Sequence, residues 1–187
     1  MNRDRIFLCK PRMCGREIDF IRDALAEDWA VPMGPDVTAF ENELGQVIGA
    51  ENVVALESGT SAIHLALIAC NVQPCDEVLV QSFTFCASTN PIKYLGATPI
   101  FIDSEEGSWN MDPELLETAI KDRIAKTGKK PKAIIPVALY GMPYKIDRIM
   151  EIANHYDVPV IEDAAEGFCS RFNKKVLGTF GRLGVLS

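Results

Sequence analysis

Short apolar runs and helix-period stretches alternate along this chain. After two helical stretches, "GREIDFIRDALAED" and "VTAFENELGQVIG", comes the run "NVVAL", then the helix-like "SAIHLALIAC" and the run "EVLVQ". A helical stretch near "ASTNPIKYL" and the run "TPIFID" follow. Asp112 and Pro113 then open a further helix, ahead of "AIIPV", the helical "KIDRIMEIANHY" and "VPVI". Strands joined by crossover helices make a mainly parallel sheet covered on both faces, a three-layer α/β/α architecture. Ligands of such sheets bind beyond the carboxyl ends of the strands, so chemistry is expected there.

Three strand ends carry candidate chemistry. In "ALESGTSAIHLAL" a run stops at Leu56 and a helix begins around Thr60, after a glycine that frees the backbone to turn. The amides of Gly59, Thr60 and Ser61 and two hydroxyls would cluster at a helix N-terminus, whose dipole favours an anion by roughly 0.3 to 2 kcal/mol. Ser and Thr at such a place also serve as ordinary helix caps, and for this motif alone capping is the commoner use. In "VQSFTFCAS", Phe83 and Phe85 follow the strand two residues apart. One of them can stack on a planar ligand, a contact worth about 0.5 to 1.5 kcal/mol beyond burial, although core packing is the usual fate of a Phe.

The third is "VPVIEDAAEGF", where the run Val158 to Ile161 ends in Glu162 and Asp163. A carboxylate there can cap the next helix. Taken together, a phosphate cradle, a stacking ring and a buried acid suit pyridoxal 5'-phosphate, whose ring nitrogen must stay protonated to act as an electron sink. Asp163 would hold that proton, because a buried carboxylate and a pyridinium satisfy each other.

Composition narrows the alternatives. The 187 residues are 48% hydrophobic and 24% charged, enough for one sizeable core and short for two domains, so residues 1–187 are expected to form a single domain. The formal charge of -7 argues against nucleic acid or an acidic membrane surface as partner. Lys129, Lys130 and Lys132 read as a solvated loop. The six cysteines, at 9, 14, 70, 75, 86 and 169, form no C-x-x-C pair, and His64 and His155 lack metal-ligand spacing, so no metal site is expected. Thiols within apolar stretches, a first segment with too short an apolar core for a signal peptide, and no eighteen-residue apolar run lead to the expectation of a cytoplasmic protein. No internal repeat or low-complexity segment is present.

The segments "GPDVTAFENELGQVIGAENVVALESGTSAIHLAL", "VQSFTFCASTNPIKYLGATPIFID", "LYGMPYKID" and "VIEDAAEGFCSRFNKKVLGTFGRLGVLS" resemble the DegT/StrS sugar aminotransferase family, pyridoxal phosphate enzymes of the aspartate aminotransferase fold type I. The likeness covers nearly the whole chain. It implies the large, cofactor-binding domain of that fold, incomplete, with the C-terminal small domain absent. It further implies that Thr60 and Ser61 contact the phosphate, Phe85 stacks on the ring, Asp163 pairs with the pyridine nitrogen, and Ser187 adds a phosphate hydroxyl. Glu162 receives no role and is expected off the opposite face of its strand.

Glu166 stands where many relatives carry His or Gln beside the cofactor. That variant resembles the subset acting on UDP-linked 4-keto-6-deoxy-N-acetylhexosamines, with glutamate as the expected amino donor and a homodimer as the expected assembly. In relatives the lysine that carries the cofactor lies a few residues beyond the segment matching "GVLS", past Ser187, so the chain as given is expected to lack transaminase turnover. Lys174 and Lys175 do not replace that lysine, because "FNKKVLG" reads as a hairpin turn.

Two other readings remain, and a third lacks its motif. Relatives with histidine in place of the lysine act as pyridoxal phosphate-dependent sugar dehydratases. A non-catalytic fragment associating through exposed core surface is another. A dinucleotide-binding module would need G-x-G-x-x-G after its first strand, and "SGTS" has one glycine.

Overall fold

The structure is a computed structural model, and it describes residues 5, 7 and 10–187. Cys9, and with it part of the first segment, lies outside the described residues. Five strands run parallel in one sheet. The pairing β2 (Thr98–Ile102), β1 (Glu77–Gln81), β3 (Ala133–Ile135) is continuous, and β4 (Ile161–Asp163) pairs with β7 (Leu183–Val185). Parallel bridges Ile134 to Val160 and Val137 to Asp163 join the two sets. The order is therefore β2-β1-β3-β4-β7.

Helices cover both faces, and strand alternation decides which residue meets which helix. Val78, Val80, Ala133, Ile135, Ile161 and Val185 pack with Ile63, Ala66 and Leu67 of α3 (Gly59–Ala69) and Ile92 of α4 (Asn90–Tyr94). Leu79, Ile134 and Val160 meet Leu116 and Ile120 of α5 (Pro113–Thr127) and the Ile146, Ile149, Ile152 stripe of α6 (Ile146–His155) on the other side. Strands buried on both sides need unbroken apolar runs, the pattern "EVLVQ" and "AIIPV" show.

Local chemistry sets the helix ends. Asp112 caps α5 by accepting the amides of Glu114 (2.7 Å) and Leu115 (3.1 Å), with Pro113 in the first turn and Gly128 left-handed at its end. The segment "FNKKVLG" is the expected hairpin: β5 (Arg171–Phe172) pairs antiparallel with β6 (Lys175–Val176), and Asn173 and Lys174 take the positive φ that a tight two-residue turn demands.

Two expectations require correction, and one strand was not expected. Residues 52–56 form no strand. The Ala55 amide donates to the Glu41 carboxylate (2.8 Å) instead of to a neighbouring strand, and Val54 and Leu56 are exposed. The strand read at 158–161 lies later, so Glu162 and Asp163 belong to β4 rather than following it. β7 was not read at all: three residues with a central glycine carry almost no strand signal.

The leading helices α1 (Glu17–Ala26) and α2 (Pro35–Ile48) form as read, yet α1 buries no residue and α2 only Gly45. Among the described residues no helix is long and apolar enough to cross a membrane.

Candidate active site

Asp163 closes β4 at its carboxyl end and is 4% exposed. One carboxylate oxygen accepts the Ser88 hydroxyl at 2.5 Å, the other the Ala165 amide at 3.2 Å. Ser88, itself buried, also shares a 2.7 Å hydrogen bond with Thr84, so a hydroxyl pair leads to the acid. Among the described residues Asp163 makes no ion pair. Burial pushes its carboxyl above the usual range, and the charge of Glu166 adds to the rise, while the Ser88 and Ala165 donors oppose it. An acid held this way has room in its chemistry for a cationic N–H.

Phe85 precedes the 3₁₀ turn Cys86–Ser88 that delivers Ser88, and the Ser88 amide donates to the Phe85 carbonyl at 3.1 Å. The Phe85 side chain is 77% exposed and has no ring partner among the described residues. Phe83 instead packs edge-on against Trp109 at 6.1 Å. Of the two aromatics, Phe85 is the more exposed and the one without a ring contact among the described residues.

The start of α3 is capped by Ser58, a residue that sequence reading passed over. Its hydroxyl accepts the Ser61 amide at 3.2 Å, while the Ser61 hydroxyl donates to Glu57 at 2.8 Å. Among the described residues the Gly59 and Thr60 amides have no hydrogen-bond partner. Ser58 therefore caps the helix and leaves those two backbone N–H groups unpaired at its start. Ser187 arrives at the same place. A Cβ on Gly59 would lie 3.0 Å from the Ser187 Cβ and 3.2 Å from its Oγ, so glycine here lets the two residues approach without either giving way. α3 also packs against β4, β7 and the turn bearing Ser88, the elements that end in or lead to Asp163 and Ser187.

Glu166 is exposed, three residues after Asp163, and accepts the Tyr140 amide at 2.7 Å. Tyr140 adopts a left-handed backbone (φ 53°) in the loop after β3. Beneath the site, Gln81 and Asn110 form a buried amide network. Gln81 accepts the Met111 amide (2.8 Å) and donates to the Phe83 carbonyl (2.9 Å); Asn110 accepts the Leu139 amide (3.1 Å) and donates to the Met142 carbonyl (3.0 Å). It ties the loops after β1, β2 and β3 together, and a lone Gln at a strand end gives little hint of it. Lys174 and Lys175 are exposed in the hairpin, with the Lys175 ammonium over the Phe180 ring at 4.6 Å. Among the described residues no group of three or more His, Cys, Asp or Glu is placed to hold a metal ion.

The profile of the DegT/DnrJ/EryC1/StrS aminotransferase family matches residues 11–187. EpsN of Bacillus subtilis strain 168, described as a pyridoxal phosphate-dependent aminotransferase, is 46% identical over 183 residues, 98% of this chain and 47% of its own length. A solved DegT DnrJ EryC1 StrS aminotransferase from Brucella abortus superposes with a TM-score of 0.86 at 37% identity, covering 89% of this chain and 44% of that one. A GDP-4-keto-6-deoxymannose-3-dehydratase, solved with a trapped PLP-glutamate geminal diamine, superposes at 0.83 with 27% identity, covering 95% and 45%. The chain thus spans about half the length of the relatives it matches.

Proposed function

Because this chain belongs to the DegT/DnrJ/EryC1/StrS aminotransferase family, whose cofactor is pyridoxal phosphate, we propose that it forms the cofactor-binding part of a sugar aminotransferase, residues 1–187 being one incomplete large domain. The observation that carries this reading is Asp163: a carboxylate buried at a strand end, without a cation partner among the described residues, its pKa raised by burial. When bound, pyridoxal phosphate supplies an electron sink that works best with its ring nitrogen protonated. Asp163 holds that proton, and the Ser88 hydroxyl keeps Asp163 in place and charged. The free amides of Gly59 and Thr60, with the hydroxyls of Thr60, Ser61 and Ser187, receive the phosphate. The exposed Phe85 ring covers one face of the cofactor and excludes water from it.

The substrate follows from the family and from Glu166. We infer that the whole protein moves an amino group from an amino acid, glutamate, to a nucleotide-linked 4-keto sugar, UDP-4-keto-6-deoxy-N-acetylhexosamine. Glu166 is the acid placed to meet that substrate, its carboxylate held by the Tyr140 amide. A homodimer suits the exposed apolar residues Phe20, Ile21 and Leu25 of α1, which need a cover. Sugar dehydration is the second reading, favoured by the likeness to the dehydratase.

Incubating the full-length protein with pyridoxal phosphate, glutamate and the keto sugar nucleotide tests both. Amino sugar and 2-oxoglutarate in equal amounts support transamination. A deoxygenated keto sugar with release of ammonia supports dehydration, and no product from either contradicts the family-based reading of the substrate.

A further inference from the structure

We propose that Glu162 is a positioning residue that fixes the loop of residues 178–181 and, through it, holds Ser187 against the start of α3. The inference rests on reading that helix start as a phosphate cradle. Glu162 and Asp163 are adjacent in β4, so strand alternation sends their side chains to opposite sides. Asp163 meets Ser88, and Glu162 meets the loop that returns the chain to β7.

The Glu162 side chain points off the opposite face of the strand, but not into solvent. The residue is 1% exposed and makes no ion pair among the described residues. Its carboxylate accepts the amides of Gly178 (3.2 Å), Gly181 (2.6 Å) and Phe180. A buried carboxylate is tolerated only when its oxygens are satisfied, and here one four-residue segment supplies all three donors. One side chain therefore sets the place of that segment.

Glycines allow the close approach. Gly184 is the register partner of Glu162, and a Cβ on it would lie 1.9 Å from the Gly178 carbonyl oxygen. A Cβ on Gly181 would lie 2.7 Å from the Val160 carbonyl oxygen. At these two glycines the backbone of the loop lies directly against the backbone of the β4–β7 pair, and three residues past Gly184 the chain reaches Ser187 beside Gly59. Tyr144 lies buried near Glu162. Burial first, then the Glu162 charge, push the Tyr144 pKa up, so no second negative charge arises there.

Glu162→Gln turns an acceptor into an amide whose NH₂ faces backbone N–H groups, while Ser187→Ala removes only the hydroxyl. Hydrogen exchange and the affinities for pyridoxal phosphate and for pyridoxal, which lacks the phosphate, are measured in the parent, both variants and the double variant. In E162Q, exchange at Phe180 and Gly181 rises tenfold or more, while Leu79 in β1 keeps its protection. Each single variant weakens pyridoxal phosphate binding about tenfold or more, as loss of one hydrogen bond to a charged group should. The double variant is no weaker than the poorer single variant, and pyridoxal binds all four alike.

Unchanged exchange at Phe180 and Gly181, multiplied losses in the double variant, or equal weakening toward pyridoxal would overturn the proposal. A parent that prefers pyridoxal phosphate, with E162Q unimpaired, overturns this proposal alone. A parent that binds both compounds equally overturns the phosphate reading, and the proposal with it. Glu162→Asp, which withdraws the charge by one methylene, takes the place of E162Q if the amide variant does not fold.

Discussion

The Ser88 hydroxyl and the Asp163 carboxylate, 75 residues apart in sequence, meet at 2.5 Å. That bond joins the loop after β1, which carries Phe85, to the end of β4. It also works against the rise that burial imposes on the Asp163 pKa. Ser88→Ala should therefore raise the carboxyl further, by about one to two pH units, since a hydrogen bond to a charged group is worth about 1.5 to 3 kcal/mol and one unit is about 1.4. A ¹³C carboxyl titration of ligand-free protein reads this directly, and an unchanged midpoint in S88A would remove Ser88 from the site.

The same raised pKa links Asp163 to stability. A carboxyl raised in the folded state contributes stability that is present below its unfolded pKa, about 3.9 for Asp, and is lost as pH rises through the raised value. At neutral pH the ligand-free protein carries that cost. Asp163→Asn should melt at a higher temperature than the parent at pH 7, with the gap closing toward pH 4. Thermal melts without cofactor check this; a variant less stable at pH 7 would show that Asp163 serves the fold rather than the ligand.

Replacing Thr60 and Ser61 together by Ala should weaken pyridoxal phosphate binding by roughly 1.5 to 6 kcal/mol, the loss of up to two hydrogen bonds to a charged group. Ser58 still caps α3 in this variant through the Ser61 amide, so the melting temperature should stay close to that of the parent. Equal affinity in a cofactor titration would leave the two hydroxyls without a part in binding.

Gly184→Ala should be among the most damaging small substitutions in the chain. Its Cβ would sit 1.9 Å from the Gly178 carbonyl oxygen, a backbone contact that no rotamer relieves. Loss of the β4–β7 pairing would follow, seen as lost amide protection at Val185, whereas a well-folded G184A with that protection intact would mean the return loop is placed differently.

How much of this was legible in the sequence depends on where the signal lives. The runs "EVLVQ" and "AIIPV" announce their strands because both faces are buried, and Asp112-Pro113 announces α5 because capping is local chemistry. Residues 52–56 have strand composition yet lack a neighbour to pair with, and pairing is a property of the fold rather than of the segment. Asp163 and Phe85 stand out at strand ends. Ser88 and Glu162 do not, because their roles consist of contacts with residues far along the chain: Ser88 with Asp163, Glu162 with the amides of residues 178–181. Ser58 was hidden by the more conspicuous Thr60 and Ser61 beside it.

The central claim is that Asp163 holds a proton on the ring nitrogen of pyridoxal phosphate. ¹⁵N NMR of ring-labelled pyridoxal phosphate, bound to the parent and to Asp163→Asn at pH 8, addresses it most directly. The account predicts a pyridinium shift in the parent and a neutral pyridine shift in D163N, with the cofactor still bound by its phosphate in both. The same protonation state in the two proteins would contradict it.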